Sequence, residues 1–363
     1  MLRIKDDEAI RNFFVIDAHH HIGEDVDGNE NVPIGNSGSY ELSRNLEEEV
    51  IGALKDSDIV SYNEVVELFD PDIIEESHPY GLFDQFVVFP MKDKFRNEGE
   101  IPFSKSNKNI ARWVNADYHG RRLIGFGRVD PSEIDKARKE VKKFPDEYGL
   151  VGLKIHPDSE RFHLDSKEVI QLYVDCARMG LPIIFHTGYP SDVEDIHEGI
   201  NKTISLLVEN GKEELVSQLN VIAGHCSYVD EEVFRYLSHP CIYGEMSTLS
   251  QPEEFIRAAK ENIALSNFTN VTLNDFKKDV SSKLKSDFWK IFQVNSHWSS
   301  KIMLGTDHPF LPKENIVKLF EALFSSDLAE ELEPRSIQNI LGKNLVDILP
   351  STVGIHVSTS RPE

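Results

Sequence analysis

The sequence has few cysteines and no long apolar run. Its three cysteines, Cys176, Cys226 and Cys241, form no CxxC pair, and an odd count in 363 residues argues against a disulfide framework. No segment reaches the about 18 consecutive apolar residues that a membrane-spanning helix needs. Residues 1–7 carry mixed charge rather than the apolar stretch of a secretory signal. We therefore expect a cytoplasmic protein with no membrane partner.

Basic residues are also scarce. Lysine and arginine together number 39 against 62 aspartates and glutamates, which gives a formal net charge of −23. A chain this acidic repels the phosphates of nucleic acids and the headgroups of anionic lipids, and no local basic patch offsets the charge. We therefore expect neither a nucleic acid nor an acidic membrane surface as a partner.

The composition is nevertheless that of a folded chain with a sizeable core. Hydrophobic residues make up 40% of the sequence and aromatic residues 9%, which excludes a largely disordered protein. Eight short apolar runs recur, and each ends in glycine, proline or a polar residue. Runs of this length are typical of strands that are buried on both faces of a parallel sheet. The runs are 13–16, 86–89, 123–126, 150–153, 183–185, 221–223, 241–243 and 302–304.

Amphipathic segments alternate with these runs. Residues 132–144 follow a candidate N-cap at Asp130 and a proline, and residues 166–179 end before Gly180. Further helices are predicted at 230–237, 253–262 and 313–324. Eight strands that alternate with helices predict an α/β fold of the (β/α)8 TIM-barrel type, in a single domain over residues 1–363. A doubly wound open sheet is the alternative, because periodicity cannot show closure.

Two segments are longer than ordinary loops. Residues 23–80 follow the first predicted strand and residues 250–301 follow the seventh, and both contain helical patterns. Long insertions at barrel loops often cover an active site, although they can also pack outside the barrel or contact a second subunit. A homodimer is therefore a candidate assembly. The polar tail at 354–363 is expected to be flexible.

Polar residues recur where the predicted strands end. In a barrel, the carboxyl ends of the strands face the active-site mouth. A lone histidine after an apolar strand is more often an ordinary hydrogen-bonding residue than a ligand, so the argument depends on the recurrence. The strand-end residues are Asp17, His19, His20 and His21, then Lys154 and His156, then His186, His225 and Glu245, and finally Asp307 and His308.

The first of these clusters suggests a metal site. Alternation along a strand places His19 and His21 on one face and His20 on the other. Together with His186 and Asp307 they make a set of three nitrogens and one oxygen. That set suits a divalent first-row metal ion, with zinc as the leading candidate.

These motifs, in this order, resemble the amidohydrolase superfamily, and specifically the amidohydrolase-related group that includes aminocarboxymuconate semialdehyde decarboxylase. The resemblance covers about residues 14–349, and its motifs are specific as a set rather than singly. It implies a (β/α)8 barrel, an enzyme and a small-molecule substrate. The motifs are Val-Ile-Asp-Ala-His-His-His at 15–21, Gly-Leu-Lys-Ile-His-Pro at 152–157, Ile-Phe-His-Thr-Gly at 184–188, Ala-Gly-His at 223–225, Leu-Gly-Thr-Asp-His-Pro at 304–309 and Ile-Leu-Gly-Lys-Asn-Leu at 340–345.

The resemblance also implies roles for the matching residues. The implied metal ligands are His19, His21, His186 and Asp307. Asp307 would also handle the proton of an attacking water, and His225 would orient or deprotonate that water or polarise the substrate. One ion is favoured over two, with zinc first and manganese as the alternative.

Lys154 leaves alternatives open. In two-metal members of the superfamily a carboxylated lysine at this strand end bridges the ions. With a single ion, Lys154 and His156 would instead bind a substrate carboxylate. A structural ion pair between Lys154 and a barrel carboxylate such as Glu245 is a third interpretation.

The expected function is that of a metal-dependent hydrolase, in which a water activated on a divalent ion cleaves a C–N or C–O bond of a small molecule. The alternative is a metal-dependent decarboxylase or hydratase of an unsaturated carboxylic acid. Arg128, at the end of the third strand, would favour a carboxylate substrate, unless it forms a structural salt bridge. A binding protein without catalysis is a further hypothesis, and the filled site positions speak against it.

Overall fold

The computed structural model describes most of the barrel and part of its surroundings. The described residues are 2–5, 10–22, 82–90, 102–115, 123–157, 162–188, 193–229, 231–248, 297–308, 311, 313–323 and 333–353. The predicted insertion at 23–80, the helix at 253–262 and the tail at 354–363 lie outside these residues, as does the insertion at 250–301 except for its last five residues.

The centre of the fold is a sheet of eight parallel strands in consecutive order. Each strand pairs with the next one along the chain, as expected when a helix returns the chain between neighbouring strands. The strands are β3 (Ile16–Ile22), β4 (Gln85–Pro90), β5 (Leu123–Arg128), β6 (Gly152–Ile155), β7 (Ile183–His186), β8 (Val221–Gly224), β9 (Ile242–Glu245) and β10 (Ile302–Met303). Seven of the eight predicted strand runs are confirmed, and the first run, 13–16, shares only Ile16 with its barrel strand.

Backbone hydrogen bonds join the first barrel strand to the segment of the last. The Ala18 N–H donates to the Leu304 carbonyl at 2.9 Å, and the Asp307 N–H donates to the His19 carbonyl at 2.7 Å. A third bond at 2.8 Å runs from the His21 N–H to the carbonyl of His308. These bonds close the sheet into a TIM barrel and exclude the doubly wound alternative.

The first strand differs from its prediction. The apolar run at 13–16 is divided, because Ile10–Phe13 (β2) pairs antiparallel with Leu2–Lys5 (β1) in a separate hairpin. The barrel strand begins at Ile16 and includes all three consecutive histidines. Its pairing with β4 shifts register between Asp17 and His20, which marks a bulge. The histidines therefore lie within the strand rather than after it.

Helices surround the barrel. Ser166 caps the helix Lys167–Met179 by accepting a hydrogen bond from the Val169 N–H, and Gly180 ends that helix at a φ of 64°. The single helix predicted at 132–144 is instead a 3-10 turn capped by Asp130, a short helix and a π turn. The helices are α1 (Phe103–Val114), α2 (Ile134–Val141), α3 (Lys167–Met179), α4 (Val193–Glu209), α5 (Cys226–Val229), α6 (Glu231–Tyr236), α7 (Lys313–Leu323), α8 (Pro334–Gln338) and α9 (Asn344–Ile348).

The core has two layers. The larger layer lies between the strands and the helices. The smaller one fills the barrel interior with inward-facing residues such as Val87, Phe126 and Ile222, and Leu345 and Ile348 of α9 pack against it. Among the described helices, none combines the length and the apolar character needed to cross a bilayer.

Candidate functional site

The predicted site residues lie together at the carboxyl ends of the strands. The side chains of His19, Lys154, His225, Glu245 and Asp307 are all buried, although each carries a polar or charged group. Buried polar groups of this kind are costly unless they bond to one another or to a ligand. Their convergence from five different strands or strand ends is therefore the main feature of the site.

Two histidines of β3 point at one carboxylate. Asp307 Oδ1 lies 3.3 Å from Nε2 of His19 and 3.3 Å from Nε2 of His21. Ligand atoms from these three residues all lie within 4.8 Å of one another, a spacing that one metal ion can span. Two imidazole nitrogens and a carboxylate oxygen are a donor set that zinc accepts.

Asp17 anchors both sides of this cluster. Its carboxylate accepts hydrogen bonds from the His19 N–H at 3.0 Å, from the Thr306 N–H at 3.0 Å and from the Thr306 hydroxyl at 2.6 Å. Asp307 follows directly with a φ of 50°, a left-handed conformation that is uncommon for residues other than glycine. Asp17 therefore fixes the backbone from which both His19 and Asp307 project.

His20 belongs to a different group, as alternation predicts. Its Nδ1 lies 3.0 Å from Asp17 Oδ2, and its ring stacks on that of His308 at 5.0 Å between centroids. His20 thus packs behind the cluster of His19, His21 and Asp307 and does not join it.

Glu245, the last residue of β9, holds several parts of the site. One oxygen, Oε2, lies 2.8 Å from His19 Nδ1 and accepts from the His225 N–H at 3.1 Å. The same oxygen accepts from the Ser247 hydroxyl at 3.1 Å. Burial raises the pKa of Glu245 to about 7, although the hydrogen bonds from His225 and Ser247 act in the opposite direction. The side chain fits because Gly305 faces it, and a Cβ there would collide with the carboxylate.

His19, His225 and Glu245 form a second group whose ligand atoms lie close enough for a metal ion. In this group, however, Glu245 Oε2 already bonds to His19 Nδ1 and to the backbone of His225. The acceptor oxygen and the imidazole nitrogen are therefore engaged with each other. The cluster of His19, His21 and Asp307 is the better candidate for an ion.

Lys154 lies inside the candidate cluster. Its Nζ is 3.0 Å from His19 Nε2, the nitrogen that also faces Asp307. The ammonium group lies 4.8 Å from the centre of the Phe89 ring, over its face. At this distance the Lys154 ammonium can donate a hydrogen bond to His19 Nε2. A metal ion bound at His19 Nε2 would displace that hydrogen bond.

His186 stands beside the cluster rather than within it. Its Nδ1 lies 3.0 Å from His225 Nε2, and its ring stacks on that of His156 at 3.8 Å and 11°. Among the described residues, the groups whose ligand atoms lie within 4.8 Å of one another do not include His186. The structure thus brings three of the four predicted ligands together and places the fourth next to His225.

Burial sets the protonation of these histidines. It lowers the pKa of His19, His186 and His225 well below the usual value, and neighbouring cationic groups lower it further. The pKa of His156 is lowered by burial first and by the charge of Arg128 second. The four imidazoles are therefore neutral near pH 7, which is the form that binds a metal or accepts a proton.

Arg128 is fully buried at the end of β5. It pairs in register with Lys154 on the neighbouring strand, which places two cationic residues side by side. Asn107 of α1 fixes its backbone, accepting from the Arg128 N–H at 2.8 Å and donating to the Arg128 carbonyl at 2.9 Å. Its guanidinium carbon lies 5.1 Å from the centre of the Phe103 ring.

Some residues of the site were not predicted from the sequence. Ser247 contacts both His225 and Glu245, and Thr306 contacts Asp17. Thr306 directly precedes Asp307 in the motif at 304–309, so the sequence could have indicated that it lies near the site. Ser247 and Phe89 belong to no motif, and their contacts become visible only in the folded chain.

The barrel and its polar carboxyl end define the class of protein as a TIM barrel with side chains that could hold a metal ion. A family model described as amidohydrolase matches residues 16–261, and the chain belongs to this family. The family relationship inferred from the sequence motifs is therefore confirmed. No curated protein matches the chain.

Solved structures give the same fold. An uncharacterized TIM-barrel protein from Bordetella bronchiseptica is 16% identical, with 92% of this chain and 97% of that chain covered and a TM-score of 0.51. An amidohydrolase from Burkholderia multivorans with bound HEPES is 10% identical, with 93% and 100% covered and a TM-score of 0.51. At these identities the similarity concerns the fold alone.

Proposed function

We propose that the chain is a metal-dependent hydrolase that uses water activated on a divalent ion to cleave a C–N or C–O bond of a small molecule. The observation that carries this proposal is the convergence of the buried side chains of His19, His21 and Asp307 at the carboxyl end of the barrel. Membership of the amidohydrolase family supports an enzyme of this general kind.

The donor atoms fit a divalent ion. His19 donates its Nδ1 proton to Glu245, which leaves the lone pair on Nε2, the nitrogen that faces Asp307. We propose His19, His21, His186 and Asp307 as ligands, with zinc favoured over manganese and one ion favoured over two. When bound, such an ion would lower the pKa of water and polarise a substrate oxygen.

Two residues would handle protons. The Asp307 carboxylate lies at the centre of the cluster and can accept a proton from the attacking water. His225, whose lowered pKa keeps it neutral, can orient that water or accept a proton at Nε2. The substrate would therefore react between Asp307 and His225.

Lys154 and His156 are proposed to bind the substrate. The Lys154 ammonium reaches the cluster directly, and the His156 ring stacks on His186 beside it. Both groups could interact with a polar or negatively charged part of a small molecule. If Lys154 is instead carboxylated, its carboxylate would be one of the ligands of a two-ion site.

A second candidate function is decarboxylation or hydration of an unsaturated carboxylic acid. The observation that favours it is the buried pair of neighbouring cationic residues, Arg128 and Lys154. Buried cations next to a reaction site favour a substrate with a carboxylate. An assay with unsaturated carboxylic acids that follows release of carbon dioxide would separate this candidate from hydrolysis.

Metal content per chain tests the proposal. The protein should be purified without a chelator and without a metal-binding tag, and its metals measured by elemental analysis. About one zinc or manganese per chain supports the single-ion site, and about two moves Lys154 and His225 into the ligand set. No metal, even after reconstitution with zinc, would contradict the proposal and favour a binding protein.

A further inference from the structure

Ser247 lies between two groups of the candidate site. Its hydroxyl oxygen is 2.8 Å from His225 Nδ1 and 3.1 Å from Glu245 Oε2. The direct distance from His225 Nδ1 to Glu245 Oε2 is 3.9 Å, which is beyond hydrogen-bond reach. The hydroxyl therefore bridges a buried imidazole and a buried carboxylate that do not bond directly.

The hydrogen bonds around Glu245 set the direction of this bridge. The carboxylate oxygens accept from His19 Nδ1 and from the backbone N–H groups of His225 and Ser247. The Ser247 hydroxyl has a single proton, which it donates to Glu245. When Glu245 is ionised, the form that its backbone N–H donors favour, the Ser247 oxygen must accept from His225 Nδ1. The reverse arrangement would bring two acceptor oxygens together with no proton between them.

One carboxylate thereby sets the proton positions of three histidines. His225, with its proton on Nδ1, has its lone pair on Nε2, which lies 3.0 Å from His186 Nδ1. His186 accordingly donates from Nδ1, and its own lone pair is on Nε2. His19 donates from Nδ1 to Glu245 and likewise has its lone pair on Nε2.

We propose that Ser247 and Glu245 are positioning residues that hold His225 in the tautomer with the proton on Nδ1. The lone pair on Nε2 then faces His186 Nδ1, and Nε2 is the atom at which the proposed function needs a proton acceptor. The catalytic use of this lone pair rests on that proposed function, whereas the tautomer itself follows from the contacts of Ser247. The backbone supports the same geometry, because the Thr248 hydroxyl donates to the His225 carbonyl at 2.7 Å.

Nuclear magnetic resonance of the full chain labelled with 15N-histidine tests this inference. Ring nitrogens with and without a proton have distinct 15N shifts, and the His225 signals are identified by their loss in His225→Gln. The spectra are recorded for zinc-loaded and for chelator-treated protein. In both samples we expect a protonated Nδ1 and an unprotonated Nε2 for His225.

Three variants isolate the hydroxyl. Ser247→Ala should lose the single-tautomer pattern of His225 and give averaged shifts of the two nitrogens. Ser247→Thr, which retains a hydroxyl, should keep the pattern. Thr248→Val is the matched control, since within the described part of the chain it removes a neighbouring hydroxyl that bonds to the backbone carbonyl of His225 and not to its ring.

The inference is overturned if wild-type His225 carries its proton on Nε2, or if Ser247→Ala leaves the pattern unchanged. Equal loss in Ser247→Ala and Ser247→Thr would also overturn it, because packing rather than the hydroxyl would then be responsible. The spectra also separate this inference from the proposed function. A protein that binds no zinc but keeps the proton of His225 on Nδ1 would contradict only the proposed metal site.

Discussion

The two ends of the barrel differ in chemistry although the same strands build both. At the amino end, Ile16 lies in an apolar cluster with Leu345 and Ile348 of α9. At the carboxyl end, buried residues such as His19 and Glu245 carry polar groups that bond mainly to one another. Burial of apolar side chains at the amino end stabilises the fold. Burial of polar side chains at the carboxyl end costs folding free energy but holds reactive groups in place.

This difference predicts that substitutions at the two ends affect different properties. At the carboxyl end they should alter metal content and activity with little effect on folding. At the amino end they should alter the free energy of unfolding with little effect on metal content.

The largest effect is expected for His19→Ala. The imidazole lies at the centre of the proposed ligand set, so its removal should abolish most metal binding and activity while the barrel stays folded. Elemental analysis and circular dichroism measure the two properties. His197→Ala, in a half-buried histidine of α4, is the control and should keep its metal. Undiminished activity in a folded His19→Ala protein would refute the assignment of the site.

His225→Ala should lower kcat by about 10²- to 10⁴-fold, the usual contribution of an acid–base group. Under the single-ion proposal the variant retains its metal, because His225 is not a ligand. His186→Ala, by contrast, should lose most of the metal. Metal analysis of both variants checks this, and a loss of about half the metal in His225→Ala would favour two ions.

At the amino end, Leu345→Ala should destabilise the chain by about 2–5 kcal/mol, because the cavity it leaves is surrounded by packed side chains. Urea unfolding followed by circular dichroism gives the free energy. Metal content per folded chain should equal that of the wild type at low temperature. A Leu345→Ala protein that is fully stable but depleted of metal would contradict the division between the two ends.

The smallest effect concerns Lys301, which directly precedes β10 at the amino end. Burial lowers the pKa of Lys301 from 10.5 to about 8. Between these values the unfolded chain binds more protons than the folded chain, so the contribution of Lys301 to stability should rise with pH. Comparing the pH dependence of unfolding in the wild type and in Lys301→Met isolates this contribution, and identical slopes would show that the shift is absent.

The sequence predicted the strand positions because each buried strand is a short apolar run. It could not predict closure, which depends on bonds such as that from the Asp307 N–H to the His19 carbonyl. The extent of the first strand was also missed, since its histidines interrupt the apolar pattern. The apolar pattern at 13–16 does not show that Phe13 ends a hairpin strand and that Ile16 begins the barrel strand.

For the site, the sequence predicted residues that could carry the chemistry, and the structure brings most of them together. The position of His186 beside His225 could not be predicted, because it depends on the relative rotation of two side chains on neighbouring strands. Ser247 was missed for a similar reason. Its hydroxyl bridges His225 Nδ1 and Glu245 Oε2, which lie 3.9 Å apart and do not bond directly. No sequence pattern encodes that distance.

The bonds that close the barrel also join its first strand to the segment that follows its last strand. Asp17 and Thr306 are 289 positions apart, yet their contact holds His19 and Asp307 on opposite sides of one cluster. During synthesis this cluster cannot assemble until the ribosome has released residue 307. An ion bound there would stabilise only the completed barrel, so metal uptake would report that folding has finished.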